Sequence, residues 1–406
     1  MALNTPKFGM LEGVKVVVAG NAMAGPLTGN LMAENGAEVI HIEGSKAQDV
    51  KRFSDGGRKV GVGREHANMY ELGLDYVCPE GREVFYRLIK EADVLVESNK
   101  GGSFEKWGMT DEFLWGLNKA LVIVHISGFG QYGDPYYYKR ASYDFIGQSF
   151  GGYTNINGNT KGKNFAKPVS CDYATGMYGA LLATMALYRA AATGIGESID
   201  VTQYESVLRN QWYQVVAGLT DGEEPTDYDG CDPDIAADAT YECKDGARVN
   251  LFIAGAGVNA RAAKLMGFED DEAFKGINNV LYSNPNAERY LNYIRNFCKS
   301  YTADEVEKLC AENGIPCSKI MTYKDMLNNS QYKAHDSLVT FYSQWSGREL
   351  TAPAPVGRLK KRPNKIWRGG ASHGFDNEDI LEAYGFSEDE IKSLYECGAV
   401  ARLGDK

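Results

Sequence analysis

Val14-Lys15-Val16-Val17-Val18-Ala19-Gly20, followed by Ala24-Gly25-Pro26 and then Gly36-Ala37-Glu38-Val39-Ile40-His41-Ile42-Glu43, is the stretch that decides the fold class. The first run is β-branched and apolar and stops at a glycine, as a buried strand does. A loop carrying Ala24-Gly25-Pro26 leads into a helical stretch, Leu27 to Asn35, and Gly36 caps it. Ala37 to Ile42 then reads as a second strand ending at Glu43, which completes a βαβ unit. The alternation continues downstream. Pro79–Glu91 reads as a helix, Asp93-Val94-Leu95-Val96-Glu97 as a strand, and Leu121 to Ile126 as another strand. Strands separated by helices at this spacing predict an α/β chain with a mostly parallel, doubly wound sheet.

A dinucleotide site is the first function such a unit brings to mind, with Glu43 where a ribose-binding acid sits. The loop has Gly20, Gly25 and Gly29 in place of G-x-G-x-x-G, so the phosphate-cradling turn is missing. No G-x-S-x-G elbow occurs, and the five histidines (His41, His66, His125, His335, His373) fall in no catalytic pattern.

The remaining chain divides by composition. Asp172 to Ala192 reads as a long helix rich in Ala174, Gly176, Gly179, Ala180, Ala183 and Ala186, small side chains that let another backbone come close. Glu197–Thr202 reads as a strand and Gln203 to Gly218 as a further helix. Asp221, Glu223, Glu224, Asp227, Asp229, Asp232, Asp234 and Asp238 mark an acidic linker without the spacing of a calcium loop. Thr240–Cys243 and Val249–Ile253 flank Lys244-Asp245-Gly246, a hairpin signal, and Thr302-Ala303-Asp304-Glu305 is a capping box. The expected organisation is a large domain from residues 1–222, a smaller α+β domain from 223–330, and a return of 331–406 to the large domain.

The chain has 406 residues and a net charge of −11, which argues against a nucleic-acid or anionic-membrane surface. No apolar run is long enough to span a bilayer. Eight cysteines lie scattered without C-x-x-C or zinc-ligand spacing, so we expect reduced thiols, no metal site and a cytoplasmic setting.

Asp172 is the residue with chemical promise. One reading makes it a helix N-cap. The other uses the same place: a carboxylate at a helix start is held ionised as a nucleophile, beside N–H groups able to stabilise an oxyanion. Around it, Asp172-Tyr173-Ala174-Thr175-Gly176, Leu187-Tyr188-Arg189, Thr193-Gly194-Ile195-Gly196-Glu197 and Ile199-Asp200-Val201 resemble the core motif of the family III CoA-transferases. Val14 to Glu43 and Ser127-Gly128-Phe129-Gly130-Gln131 resemble the family's opening and central loop. Pro6-Lys7-Phe8-Gly9, Ser98-Asn99-Lys100-Gly101 and Lys365-Ile366-Trp367-Arg368-Gly369 with Ser372-His373-Gly374 resemble its carnitine/crotonobetaine branch.

The resemblance implies a fold and a chemistry. The fold is a Rossmann-like large domain built from both chain ends plus a smaller α+β domain, in an interlocked homodimer. The activity is CoA transfer between an acyl-CoA and a free carboxylate, with Asp172 as nucleophile passing through an acyl-aspartyl anhydride and an aspartyl-CoA thioester. CoA is then a substrate, and no cofactor is permanently bound. The resemblance places Lys100, Ala24 and Gly25 with CoA; where the branch has an arginine, this chain has Trp107 with Lys106 beside it, and Lys139-Arg140 is a further basic pair. Met23 stands where formyl/oxalate transferases have glutamine, and Tyr143 where the related racemases have their histidine. Tyr136-Tyr137-Tyr138 with Tyr143 and Tyr153 offers either an aromatic box for a trimethylammonium group or plain packing. Gly255 and Gly257 resemble the family's mobile glycine loop. Carnitine, crotonobetaine or γ-butyrobetaine are the implied acids. The alternatives are a 2-hydroxy or bile acid, a 2-methylacyl-CoA racemase, or a non-catalytic CoA-binding protein.

Overall fold

Six parallel strands form the main sheet of the computed structural model, which describes residues 3–53, 55–157, 169–222 and 234–404. They are β1 (Lys15–Ala19), β2 (Glu38–Glu43), β3 (Met69–Gly73), β4 (Val94–Glu97), β5 (Val122–Ser127) and β6 (Ser198–Thr202), in the order β3-β2-β1-β4-β5-β6. Val16 pairs with Val39 on one side and Val94 on the other, so β1 is central and the chain reverses its winding beside it. Alternate residues feed two cores. Val17, Ala19, Ile40, Leu72 and Leu95 pack with Phe85, Leu88 and Ile380. Val16, Val18, Val39, Val96 and Val124 pack with Met32 and Ala183 on the opposite face. Burial on both faces is what makes these strands continuous apolar runs.

Two boundaries differ from expectation for physical reasons. Ala24-Gly25-Pro26 is not loop but the first turn of the helix Ala24–Glu34; Pro26 fits there because the first-turn N–H groups have no partner within the helix. The expected helix from Gln203 breaks into Gln203–Arg209 and Trp212–Asp221, with Trp212, the first residue of the second, at φ 51°. β3 was not foreseen, because a buried Glu71 interrupts its apolar pattern.

The long helix Ser170–Thr193 lies against the helix Ala24–Glu34, and its small residues account for the closeness. A Cβ on Gly176 would sit 3.0 Å from the Ala24 carbonyl oxygen and 2.8 Å from Leu27 Cδ2. The chain forms two compact units, one of Met1–Thr154, Phe165–Val216 and Ala334–Lys406, the other of Asn155–Asn164 and Ala217–Lys333. The large unit also holds the hairpin of two strands, Leu338–Ser343 and Arg348–Pro353. The small unit has an antiparallel sheet of Ala239–Glu242, Arg248–Leu251 and Cys317–Lys319, with a core around Tyr241, Leu251, Tyr290 and Ile294. Its capping box at Thr302 closes with both reciprocal hydrogen bonds. Most of the acidic linker, from Glu223 through Asp232, lies outside the described residues, as does Cys231. Among the described residues, all seven cysteines are free thiols and no helix is long and apolar enough to cross a membrane.

Candidate active site

The strand reversal beside β1 opens a crevice at the C-terminal ends of β1, β4 and β5, where open α/β sheets collect ligands. A cavity of about 390 Å³ lies there. Asn21 to Gly25 line it from the end of β1, Ser98-Asn99-Lys100 from β4, and Ile126-Ser127-Gly128 from β5. Ser103, Trp107, Arg140 to Tyr143, Asp172 and Gln203 complete the wall.

Asp172 is 4% exposed. It is not the N-cap of its helix. The helix begins at Ser170, and the cap position is Val169, whose side chain caps nothing. The carboxylate of Asp144, from the helix Asp144–Phe150, serves instead: its Oδ1 accepts the N–H groups of Cys171 at 2.8 Å and Asp172 at 2.9 Å. Asp172 is thereby free of capping duty, and its Oδ1 accepts from Gln203 Nε2. Burial raises its pKa to about 6, the nearby Asp144 charge adds to that, and the Gln203 hydrogen bond and Lys51 oppose it. Burial also pushes the neighbouring Cys171 thiol well up, helped by Asp172 and Asp144, so at neutral pH the ionised group is the carboxylate and not the thiol.

The opposing wall is the start of the helix Ala24–Glu34. Met23 is its N-cap and makes no side-chain cap, so the N–H groups of Ala24 and Gly25 are first-turn donors at the cavity. The loop before it carries strain: Ala22 has φ 70°, held by its N–H on Asp49 Oδ2 at 2.6 Å. Behind this loop, Glu43 does not face a ribose. Arg52 grips it through Nε at 2.9 and 3.1 Å and also reaches Glu71 Oε2 at 3.2 Å. Glu71 accepts from His41 Nδ1 at 3.0 Å and His66 Nδ1 at 2.9 Å. His41, Glu43, His66 and Glu71 bring four possible ligand atoms within 4.8 Å of one another, and the cation that both carboxylates share is the Arg52 guanidinium.

The structure therefore brings Met23, Ala24, Gly25, Lys100, Tyr143 and Asp172 to one cavity. Lys106 is exposed and does not line it, whereas its neighbour Trp107 does. Tyr153, on the helix Tyr153–Asn157, does not line it either. Gly255 and Gly257 belong to the small unit, where Gly255 (φ 87°) starts the helix Ala256–Met266. The tyrosine cluster has a cation of its own chain: the Arg140 guanidinium stands 5.0 Å from the Phe129 ring, 5.4 Å from Tyr136 and 5.6 Å from Tyr137. Sequence reasoning missed the roles of Asp144, Ser142 and Gln203. The signal was Val169: a helix start with no capping side chain needs an acceptor from elsewhere.

Comparison with known proteins gives the following. The sequence pattern of CoA-transferase family III matches residues 11–377. The bile acid CoA-transferase BaiK of Clostridium scindens is 37% identical over 98% of this chain and 91% of its own length. The L-carnitine CoA-transferase of Proteus mirabilis is 35% identical over 98% of both chains. The crystal structure of a CAIB/BAIF family protein from Brucella suis superposes with a TM-score of 0.79 at 25% identity, covering 93% of this chain and 100% of that one.

Proposed function

The chain belongs to CoA-transferase family III, and from that premise we propose that it moves CoA from an acyl-CoA to a free carboxylate with Asp172 as the nucleophile. The observation that carries this reading is a buried, ionisable carboxylate in the cavity wall that is relieved of capping its own helix. Asp172 attacks the thioester carbonyl and expels CoA thiolate, leaving an acyl-aspartyl anhydride. The thiolate then attacks the aspartyl carbonyl and releases the first acid, leaving an aspartyl-CoA thioester. An acceptor carboxylate displaces the thiolate to form a second anhydride, and thiolate attack on the acceptor's acyl carbon regenerates Asp172. An anhydride is about as reactive as a thioester, so no step is strongly uphill. No net proton is consumed.

The N–H groups of Ala24 and Gly25 suit a developing oxyanion or a phosphate, and Lys100 supplies a cation for the CoA phosphates. Trp107, in place of Lys106, presents the second contact to this cavity. The acid is of the carnitine, crotonobetaine or γ-butyrobetaine type, for which Tyr143, in the same cavity wall as Asp172, offers an aromatic face. A bile acid is the second reading, favoured by the BaiK similarity and by the Arg140 guanidinium that takes up the neighbouring tyrosines. Gly255 and Gly257 and Tyr153 belong to the substrate-binding part of this proposal by resemblance. The working form is an interlocked homodimer. Tyr173, Met177, Leu181, Met185 and Tyr188 form an exposed apolar stripe along the long helix that a second copy would cover. Cysteines in no paired spacing suit a reducing compartment such as the cytoplasm.

The test is to incubate the protein with butyrobetainyl-CoA and a panel of free acids that includes bile acids, and to read the acyl-CoA products by mass. Asp172→Ala is expected to reduce transfer at least about 10³-fold, as loss of a covalent nucleophile does. Transfer left intact in that variant would sink the mechanism.

A further inference from the structure

We propose that Gln203 is the positioning residue of Asp172 and the oxyanion donor for the aspartyl carbonyl. The inference rests on the reading of Asp172 as nucleophile. Gln203 is the first residue of the helix Gln203–Arg209, directly after β6, where Thr202 caps the helix by accepting the Glu205 N–H. That start aims the side chain into the cavity, and it is 7% exposed. Its amide has only one sensible orientation. A carboxylate only accepts, so Nε2 faces Asp172 Oδ1 at 2.5 Å. The other end, Oε1, accepts the Ser142 hydroxyl at 2.6 Å, which prevents a flip.

Two glycines make room for this arrangement. A Cβ on Gly128 would lie 2.1 Å from Ser142 Cβ, and a Cβ on Gly147 would lie 2.8 Å from Gln203 Cβ and 2.6 Å from Cys171 Sγ. A larger residue at Gly128 would push Ser142 off Gln203, and one at Gly147 would push Gln203 off Asp172. Among the described residues no donor bonds Asp172 Oδ2, which leaves that oxygen as the attacking atom.

The same amide has a second task later in the cycle. Once Oδ2 carries the acyl group, Oδ1 is the aspartyl carbonyl oxygen. When CoA thiolate attacks Cγ, the electron pair moves onto Oδ1, where the Gln203 N–H already points. The tetrahedral centre collapses by returning that pair and expelling the acid with Oδ2. A donor fixed before the charge develops is the condition for electrostatic stabilisation without reorganisation.

The experiment compares wild type with Gln203→Met, Ser142→Ala and Ser142→Thr. Two readouts are the pH profile of kcat/KM and the single-turnover rate of forming a hydroxylamine-sensitive aspartyl-CoA adduct without acceptor. Gln203→Met keeps the volume but loses the donor, so kcat falls about 100-fold with acyl-CoA affinity unchanged. The hydrogen bond favours the ionised form, so its loss moves the acid limb of the profile up by about one pH unit. Ser142→Ala gives a roughly 3- to 10-fold loss in the same direction, and Ser142→Thr, which keeps the hydroxyl, restores the wild-type profile. A Gln203→Met enzyme whose adduct forms at the wild-type rate, or whose acid limb stays in place while activity falls equally at every pH, overturns the proposal. Absence of any adduct on the wild-type protein overturns the nucleophile reading itself.

Discussion

Two buried carboxylate groups stand on either side of one short loop and meet opposite fates. Asp172 and Asp144 lie together with few cations near them, and burial raises the Asp172 pKa to about 6. Glu71 is as deeply buried, and burial alone would raise it too, yet His66 and His41 hold its carboxyl well below the ordinary range. Glu43 is lowered in the same way, burial being outweighed by Arg52. Burial therefore does not decide whether a carboxylate is inert or poised; the charge balance inside the burial does. The two groups are also joined. Glu43 accepts the Asp49 N–H at 2.7 Å, and Asp49 accepts the strained Ala22 N–H that leads into the cavity wall. The matched cluster is a foundation for the loop, and the unmatched pair is where we propose the reaction takes place.

Breaking the balance on the matched side should have the largest effect on stability. Arg52→Met removes the cation that Glu43 and Glu71 share and leaves both carboxylates buried beside each other. Uncompensated buried charge costs about 3–5 kcal/mol. Urea denaturation should show a loss of that size, and a change below about 1 kcal/mol would mean the histidines alone balance the cluster.

The histidine side of the balance has its own pH signature. His41 Nδ1 meets the Glu71 carboxylate and Nε2 meets the Gly20 carbonyl at 2.9 Å, two acceptors, so both ring nitrogens carry protons. Burial alone would lower the His41 pKa, but Glu71 raises it to about 9. A raised folded pKa means stabilisation that is complete below the unfolded value and is lost as pH rises through about 9. Between pH 7 and 9 the wild type should lose roughly 2–3 kcal/mol more than His41→Gln, which has no proton to release. Parallel curves for the two proteins would show His41 to be neutral in the folded state.

The contrast also explains what could be read from sequence. β1, β2, β4 and β5 were legible because both faces of those strands are buried, which makes the apolar runs unbroken. β3 was hidden by Glu71, a charge whose partners are His41 of β2, Arg52 at the end of the 3-10 turn Val50–Arg52, and His66 at the end of the short helix Gly61–Glu65. Asp172 was legible through its motif, but its setting was not. Asp144 and Gln203 reach it across 28 and 31 positions of sequence, Ser142 reaches Gln203 across 61, and nothing local marks a side chain whose partner is that distant. Lys106 and Trp107 show the limit of residue type as a guide. The charged neighbour points away from this cavity and the aromatic one lines it, because Trp107 closes the short helix Ser103–Lys106 against Tyr76 and Phe104.

The remaining expected effect is on the unmatched side, and its sign is the opposite of the Arg52 result. Asp172→Asn keeps shape and can still accept from Gln203, but removes the charge that burial and Asp144 penalise. The wild-type carboxyl is protonated more readily in the folded than in the unfolded chain. Its contribution is therefore favourable at low pH and is lost as pH rises through about 6. At pH 8 the variant should be more stable by up to about 3 kcal/mol, and the gain should vanish near roughly pH 3 and below, where the wild-type group is neutral in both states. If the variant also loses CoA transfer, a gain of stability only where Asp172 would be ionised is the mark of a site that spends stability on reactivity. Equal stability at pH 8 would mean that Asp172 is as well matched as Glu71, and that the difference between the two groups lies in geometry alone.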